Sequence, residues 1–188
     1  SPWHVVQEMR DLPRLSHIGS VDVAVELPWQ DDARNARRAS EACFAAALVP
    51  GCRVYLDPLV DLDRTMDIGH GLLDTLCNPR AAFHALRCLN TVLYRHPRKN
   101  HPHPSDARAG PLEVRTLTGA GEGHCLILGH VQGAPDLGGL PIVAECFAGR
   151  RVRLYRLCEG TVETVDLDRI GESLSVPGSH SPLLLSAF

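Results

Sequence analysis

The sequence predicts two kinds of structure in one chain, an α/β part followed by an all-β part. Three observations predict this. Residues 1–96 alternate helical and strand-like segments, and such βα alternation argues for parallel strands. The run Arg95-His-Pro-Arg-Lys-Asn-His-Pro-His-Pro-Ser105 is polar, basic and broken by prolines, so residues 97–110 read as a linker. From residue 111 the hydrophobic period shortens. Several short β-like runs separated by Gly- or Pro-rich turns suggest a small antiparallel β-sandwich over residues 111–188.

The first segment, residues 3–18, carries Trp3, Val5, Val6, Met9, Leu12, Leu15 and Ile18 at roughly helical spacing, interrupted at Pro13. Gly19-Ser20 ends it. Residues 21–27 then alternate, with Val21, Val23 and Val25 on one face and Asp22, Ala24 and Glu26 on the other. The branched face suits packing against helices. The other suits a crowded, partly polar interior. Pro28 closes the strand. Asp31 and Asp32 are placed to cap a helix over residues 33–49, which Pro50-Gly51 stops. A second strand, Cys52-Arg-Val-Tyr-Leu-Asp-Pro-Leu59, also ends in a carboxylate, Asp57. A loop over residues 60–80 follows, long enough to suspect function. Asn78-Pro79 reads as the start of the next helix, with Phe83, Leu86, Leu89 and Leu93 on its apolar face. The β-like runs are 112–118, 124–129, 142–147, 152–157, 161–166, 173–176 and 183–186, with a hairpin turn expected at Gly119-Ala-Gly-Glu-Gly123.

Composition bounds the function. A net charge of -3 gives no electrostatic reason to expect nucleic acid or an anionic membrane as partner. No apolar run approaches the roughly 18 residues needed to span a bilayer. The start, Ser1-Pro-Trp-His, has neither a signal peptide's basic and apolar regions nor an initiator Met, so a chain processed or cut from something longer is expected. The seven cysteines form no CxxC pair, which argues against structural zinc. They read as small buried thiols in a reducing, cytoplasmic setting. The acidic run Asp57, Asp61, Asp63, Asp67 lacks the Gly and terminal Glu of a calcium loop, and His96, His101 and His103 lie in the linker. No metal and no cofactor are expected.

Two parallel strands cannot make a stable sheet with both faces covered, and a complete eight-stranded barrel takes about 250 residues. Residues 1–96 suffice for its last βα units. Here specific motifs enter. Val-Ala-Val-Glu26-Leu-Pro-Trp29, Gly71-Leu-Leu-Asp74, Asn78-Pro-Arg80 and Ala82-Phe-His84 together resemble the end of a retaining glycoside hydrolase of the large TIM-barrel clan, of the β-xylosidase and α-L-iduronidase type. The resemblance implies a partial (β/α) barrel followed by a trailing β-sandwich. It implies Glu26 as nucleophile at the end of the seventh strand, a carbohydrate substrate and hydrolysis with retention. Two departures stand beside it. The eighth strand ends in Tyr55-Leu56-Asp57 where many relatives have Trp, and no Asn-Glu dipeptide is present to supply the acid/base.

Such chemistry needs two carboxyl groups roughly 5–5.5 Å apart, one attacking the anomeric carbon and the other protonating the leaving oxygen. Glu26 at a rigid strand end fits the first role. Trp29 suits stacking on a sugar ring, Asp57 suits hydrogen bonding to sugar hydroxyls or holding an Arg, and His70, between two glycines, can reach a ligand. The missing half of the pair would come from an N-terminal barrel segment or a partner chain. The other reading is a non-catalytic carbohydrate- or protein-binding module. An uncovered edge along Val21–Val25 would require a missing segment or a partner, and an edge covered by further elements would favour the second reading.

Overall fold

The structure is a computed structural model. It describes residues 1–10, 20–27, 31–49, 51–60, 71–94, 103–109, 112–119, 122–129, 141–166 and 181–187. In chain order the elements are α1 (Pro2–Arg10), β1 (Val21–Glu26), α2 (Asp32–Ala46), β2 (Cys52–Asp57), α3 (Ala81–Leu93), β3 (His103–Ala109), β4 (Leu112–Gly119), β5 (Glu122–Leu128), α4 (Pro141–Phe147), β6 (Val152–Arg156), β7 (Thr161–Val165) and β8 (Leu183–Ala187). β1 and β2 pair in parallel as a two-stranded sheet. The other six strands form an antiparallel sheet in the order β3-β4-β5-β8-β6-β7. The fold is thus mixed α/β, dominated by the antiparallel sheet, and is consistent with the expected β-sandwich.

The alternation in β1 does what its sequence dictates. Val25 is buried and Val23 packs against the helical core, while Asp22, Ala24 and Glu26 are exposed. The second face therefore borders no crowded interior among the described residues. α2 begins where expected, because Asp31 Oδ1 accepts from the backbone N–H groups of Ala33 and Arg34. Its small face, Ala36, Ala39, Ala42 and Cys43 with Phe44, is buried against α1 and α3. Trp3 of α1 stacks on Phe44 with ring centroids 5.9 Å apart.

Three expectations require correction. Residues 103–109, inside the expected linker, form β3 and pair in antiparallel register with β4. Residues 142–147 are not a strand: α4 buries Val143, Cys146 and Phe147, a spacing of three and four that one helix face meets, and Pro141 takes the first helical position. The helix after the long loop starts at Ala81, two residues beyond Pro79, with Arg80 at the cap. The reason is local: Asn78 and Pro79 are engaged in the loop itself, as described below. The expected strand at 173–176 and the second half of the first helical segment lie outside the described residues.

The antiparallel sheet has a layer on each face. Leu117, Leu126, Leu128, Leu157 and Leu184 join the core of α1, α2 and α3, whereas Val114, Cys125, Ile127, Leu154 and Leu185 pack with α4. Gly123 is required at the second contact, since a Cβ there would stand 2.3 Å from the Cys146 carbonyl oxygen. At the first contact the join is also ionic. Arg115 of β4, only 2% exposed, meets Glu113 Oε2 at 2.8 Å, Asp106 Oδ2 at 3.6 Å and Glu41 Oε1 of α2 at 3.8 Å. Its guanidinium carbon lies 5.8 Å from the centre of the Trp3 ring. Arg37 of α2 reaches Glu113 Oε1 at 3.2 Å from the other side.

All seven cysteines are free. Burial pushes the Cys43 thiol up to about 12, with Cys52 adding to it, and Cys146 likewise to about 12. These are un-ionised packing groups, as the sequence suggested. Cys77 is exposed instead.

Candidate functional site

The parallel pair places side chains by register. Asp22 stands opposite Arg53, Ala24 opposite Tyr55 and Glu26 opposite Asp57. All six are exposed and lie on the face away from the helices. Adjacent strands run roughly 4.8 Å apart, so Glu26 and Asp57 form a side-by-side carboxylate pair at the C-terminal ends of the two strands. The backbone holds this end closed: Leu27 N–H donates to the Asp57 carbonyl at 3.1 Å, one step beyond the last paired residues. Among the described residues, neither carboxylate has a hydrogen-bonding or ionic partner. Asp57 therefore holds no described Arg.

At the other end of the same face Arg53 grips Asp22 with two bonds, Nε to Oδ1 at 2.8 Å and Nη2 to Oδ2 at 3.2 Å. The Asp22 hydrogen bond, followed by its charge, raises the already high Arg53 pKa further. Tyr55, 52% exposed, lies between the ion pair and the carboxylates. The face thus runs from an ion pair through a ring to two acids. Sequence reasoning missed Arg53 and Tyr55 as members of it, although the alternation of Cys52-Arg-Val-Tyr-Leu-Asp57 carried the signal.

The return of the long loop is built from the very motifs that carry the resemblance. Leu72 and Leu73 donate N–H groups to the carbonyls of Pro58 and Leu59, which lays the loop back against the end of β2. Asp74 Oδ1 accepts from the amides of Leu76 and Asn78, and Asp74 Oδ2 accepts from Asn78 Nδ2. Cys77 in between adopts φ +64. Arg80 donates its N–H to Leu72 and its Nη1 reaches Asp32 Oδ1 at 3.2 Å. Gly71-Leu-Leu-Asp74 and Asn78-Pro-Arg80 are hence one turn that fixes the start of α3 beside the start of α2.

The Asn78 side chain and then its backbone N–H hold the Asp74 carboxyl below the usual range. The sign follows: a carboxyl whose folded pKa is depressed stabilises above its unfolded pKa and loses that contribution as pH falls through the folded value. Acidification is therefore expected to loosen this turn before the core. In hydrogen exchange, the Leu76 and Asn78 amides should lose protection on going from neutral pH to below the ordinary Asp range, and Asp74→Ala should remove that pH dependence.

Trp29 and His70 lie outside the described residues, as do Asp61, Asp63 and Asp67. His103 is exposed at the start of β3. Among the described residues no group of three or more His, Cys, Asp or Glu side chains is arranged to hold a metal ion, and no helix is long and apolar enough to cross a membrane.

No family model matches the sequence, and no curated protein matches it. Among solved structures, the chain is similar to a family 39 glycoside hydrolase from the gut symbiont Bacteroides cellulosilyticus WH2, with a TM-score of 0.53 at 12% identity. The likeness is one of fold. It covers 99% of this chain but 38% of that one, so the chain spans well under half the length of the enzyme it resembles.

Proposed function

We propose that this chain is the C-terminal part of a retaining glycoside hydrolase, with Glu26 as the nucleophile. Residues 1–96 then belong to the last βα units of a (β/α) barrel, and the antiparallel sheet, from β3 on, is the accessory domain that follows it. The observation that carries the reading is the register of Glu26 with Asp57 at the C-terminal ends of two parallel strands. That end of a βα layout is where barrel enzymes mount their chemistry. The distant likeness to a glycoside hydrolase supports the same reading.

In this mechanism Glu26 attacks the anomeric carbon while an acid from another segment protonates the departing oxygen. Water, activated by the same acid's conjugate base, then cleaves the glycosyl ester, so configuration is retained. Asp57, Trp29 and His70 contact sugar hydroxyls or ring faces. The open face of β1 and β2 supports a further barrel segment, or a partner chain, as the source of the acid/base and the remaining strands. Among the described strands β1 pairs with β2 alone, and this open edge along Val21–Val25 favours the enzyme fragment over the binding module. The expected result for the purified 188-residue chain is no turnover of aryl glycosides. Turnover by the chain alone, abolished by Glu26→Gln, would show that the second carboxyl is already present, with Asp57 the first residue to test.

A further inference from the structure

We propose that the turn between β6 and β7 is a positioning element for the candidate site, bracing the start of α3, and through the Arg80–Asp32 ion pair that of α2, so that the strand ends bearing Glu26 and Asp57 are held in place. This rests on the glycosidase reading of that site.

Topology sets the stage. β1 leads into α2 and β2 leads into α3, and the two strands are parallel, so both helix starts lie at the end that carries Glu26 and Asp57. The turn reaches α3. Gly160, at φ +67, sits against α3: a Cβ there would stand 2.6 Å from Arg87 Nη2 and 3.3 Å from His84 Nδ1. His84 lies in the first turn of α3, its N–H bonded to the Arg80 carbonyl at 3.2 Å. Cys158, beside the turn, packs against the helical core.

The brace is anchored and cross-tied. Leu157 is buried in the core shared with the helices and donates its N–H to Pro182 at 3.2 Å. Ser181 Oγ donates to Glu159 Oε1 at 3.4 Å, and Gly160 N–H closes the turn on the Arg156 carbonyl at 2.9 Å. Between the two helix starts, Arg80 and Asp32 form the ion pair already described. Gly160 touches no substrate in this account. It acts through α3.

Gly160→Ala in the full-length protein tests this, with Arg87→Ala as the compensating change. A side chain at positive φ strains the turn, and the added Cβ presses on Arg87. Hydrogen exchange is expected to rise about tenfold at the amides of Ala33, Arg34 and His84, with β3 and β4 unchanged. Gly160→Ala with Arg87→Ala should recover part of that protection, because the contact rather than the backbone alone transmits the effect. In the same proteins kcat for a glycoside is expected to fall by a similar factor with KM little changed. Unchanged exchange at the helix starts, or an equal rise throughout the sheet, overturns the brace. Opened helix starts with an unchanged kcat overturn its positioning role. No glycoside turnover by the unsubstituted full-length protein overturns the glycosidase reading, whichever way the exchange result falls.

Discussion

Arg115→Ala is expected to destabilise the chain by about 3–5 kcal/mol, the cost of stripping one partner from a buried ionic cluster. Arg115 is 2% exposed and Glu41 is 4% exposed. With Arg115 gone, buried Glu41 loses the ion-pair partner it has at 3.8 Å, and Glu113 keeps Arg37. The Trp3 ring also loses the cation on its face. Domain stabilities span about 5–15 kcal/mol, so this one change can remove a large part of the whole. Urea denaturation measures it. Glu41→Gln in the Arg115→Ala background should recover stability, since it removes the stranded charge. A loss below about 1 kcal/mol would mean that the cluster behaves like a surface ion pair. The result bears on architecture, because Arg115 joins β4 of the sheet to α2 of the βα layer. A cooperative single transition that shifts as a unit is the expected form of the data.

Glu26→Gln carries the second large effect, and it is kinetic. In the full-length protein, kcat for glycoside hydrolysis is expected to fall on the order of 10⁴–10⁶-fold, the range seen when a nucleophile that works as part of a unit is removed. Stability should barely change, because Glu26 is exposed and has no described partner. That combination separates a catalytic group from a structural one. Asp57→Asn is expected to have a smaller effect on kcat than Glu26→Gln if Asp57 binds sugar hydroxyls. An equal effect would make Asp57 a member of the reacting pair.

Much of this was legible in the sequence where the governing rule is local. The alternation of Val21–Glu26 fixed which face of β1 meets the helices. Asp31 announced the start of α2, and Gly119 and Glu122 pair across the expected hairpin turn. The misreadings have physical causes. Ile142–Phe147 is short and apolar, and a run that brief satisfies strand and helix periods equally. His103–Ala109 is polar and proline-containing because it is an edge strand, where prolines and charges are tolerated. Pro79 looked like a helix start, but Leu73 pairs with it in a β-bridge and Asn78 is spent on Asp74. The Arg115 cluster had little local signal. Glu113 lies two residues away on the same strand face, but only the fold brings Trp3, Glu41 and Asp106 to it.

Covalent trapping tests the role of Glu26 as nucleophile most directly. The full-length protein would be incubated with 2-deoxy-2-fluoroglycosides, which form the glycosyl ester but release it slowly, and then digested for peptide mass mapping. One added glycosyl mass is expected on the peptide spanning Val21–Leu27, located at Glu26. A glycosyl mass on any other carboxylate, or turnover that persists in Glu26→Gln, would contradict that role.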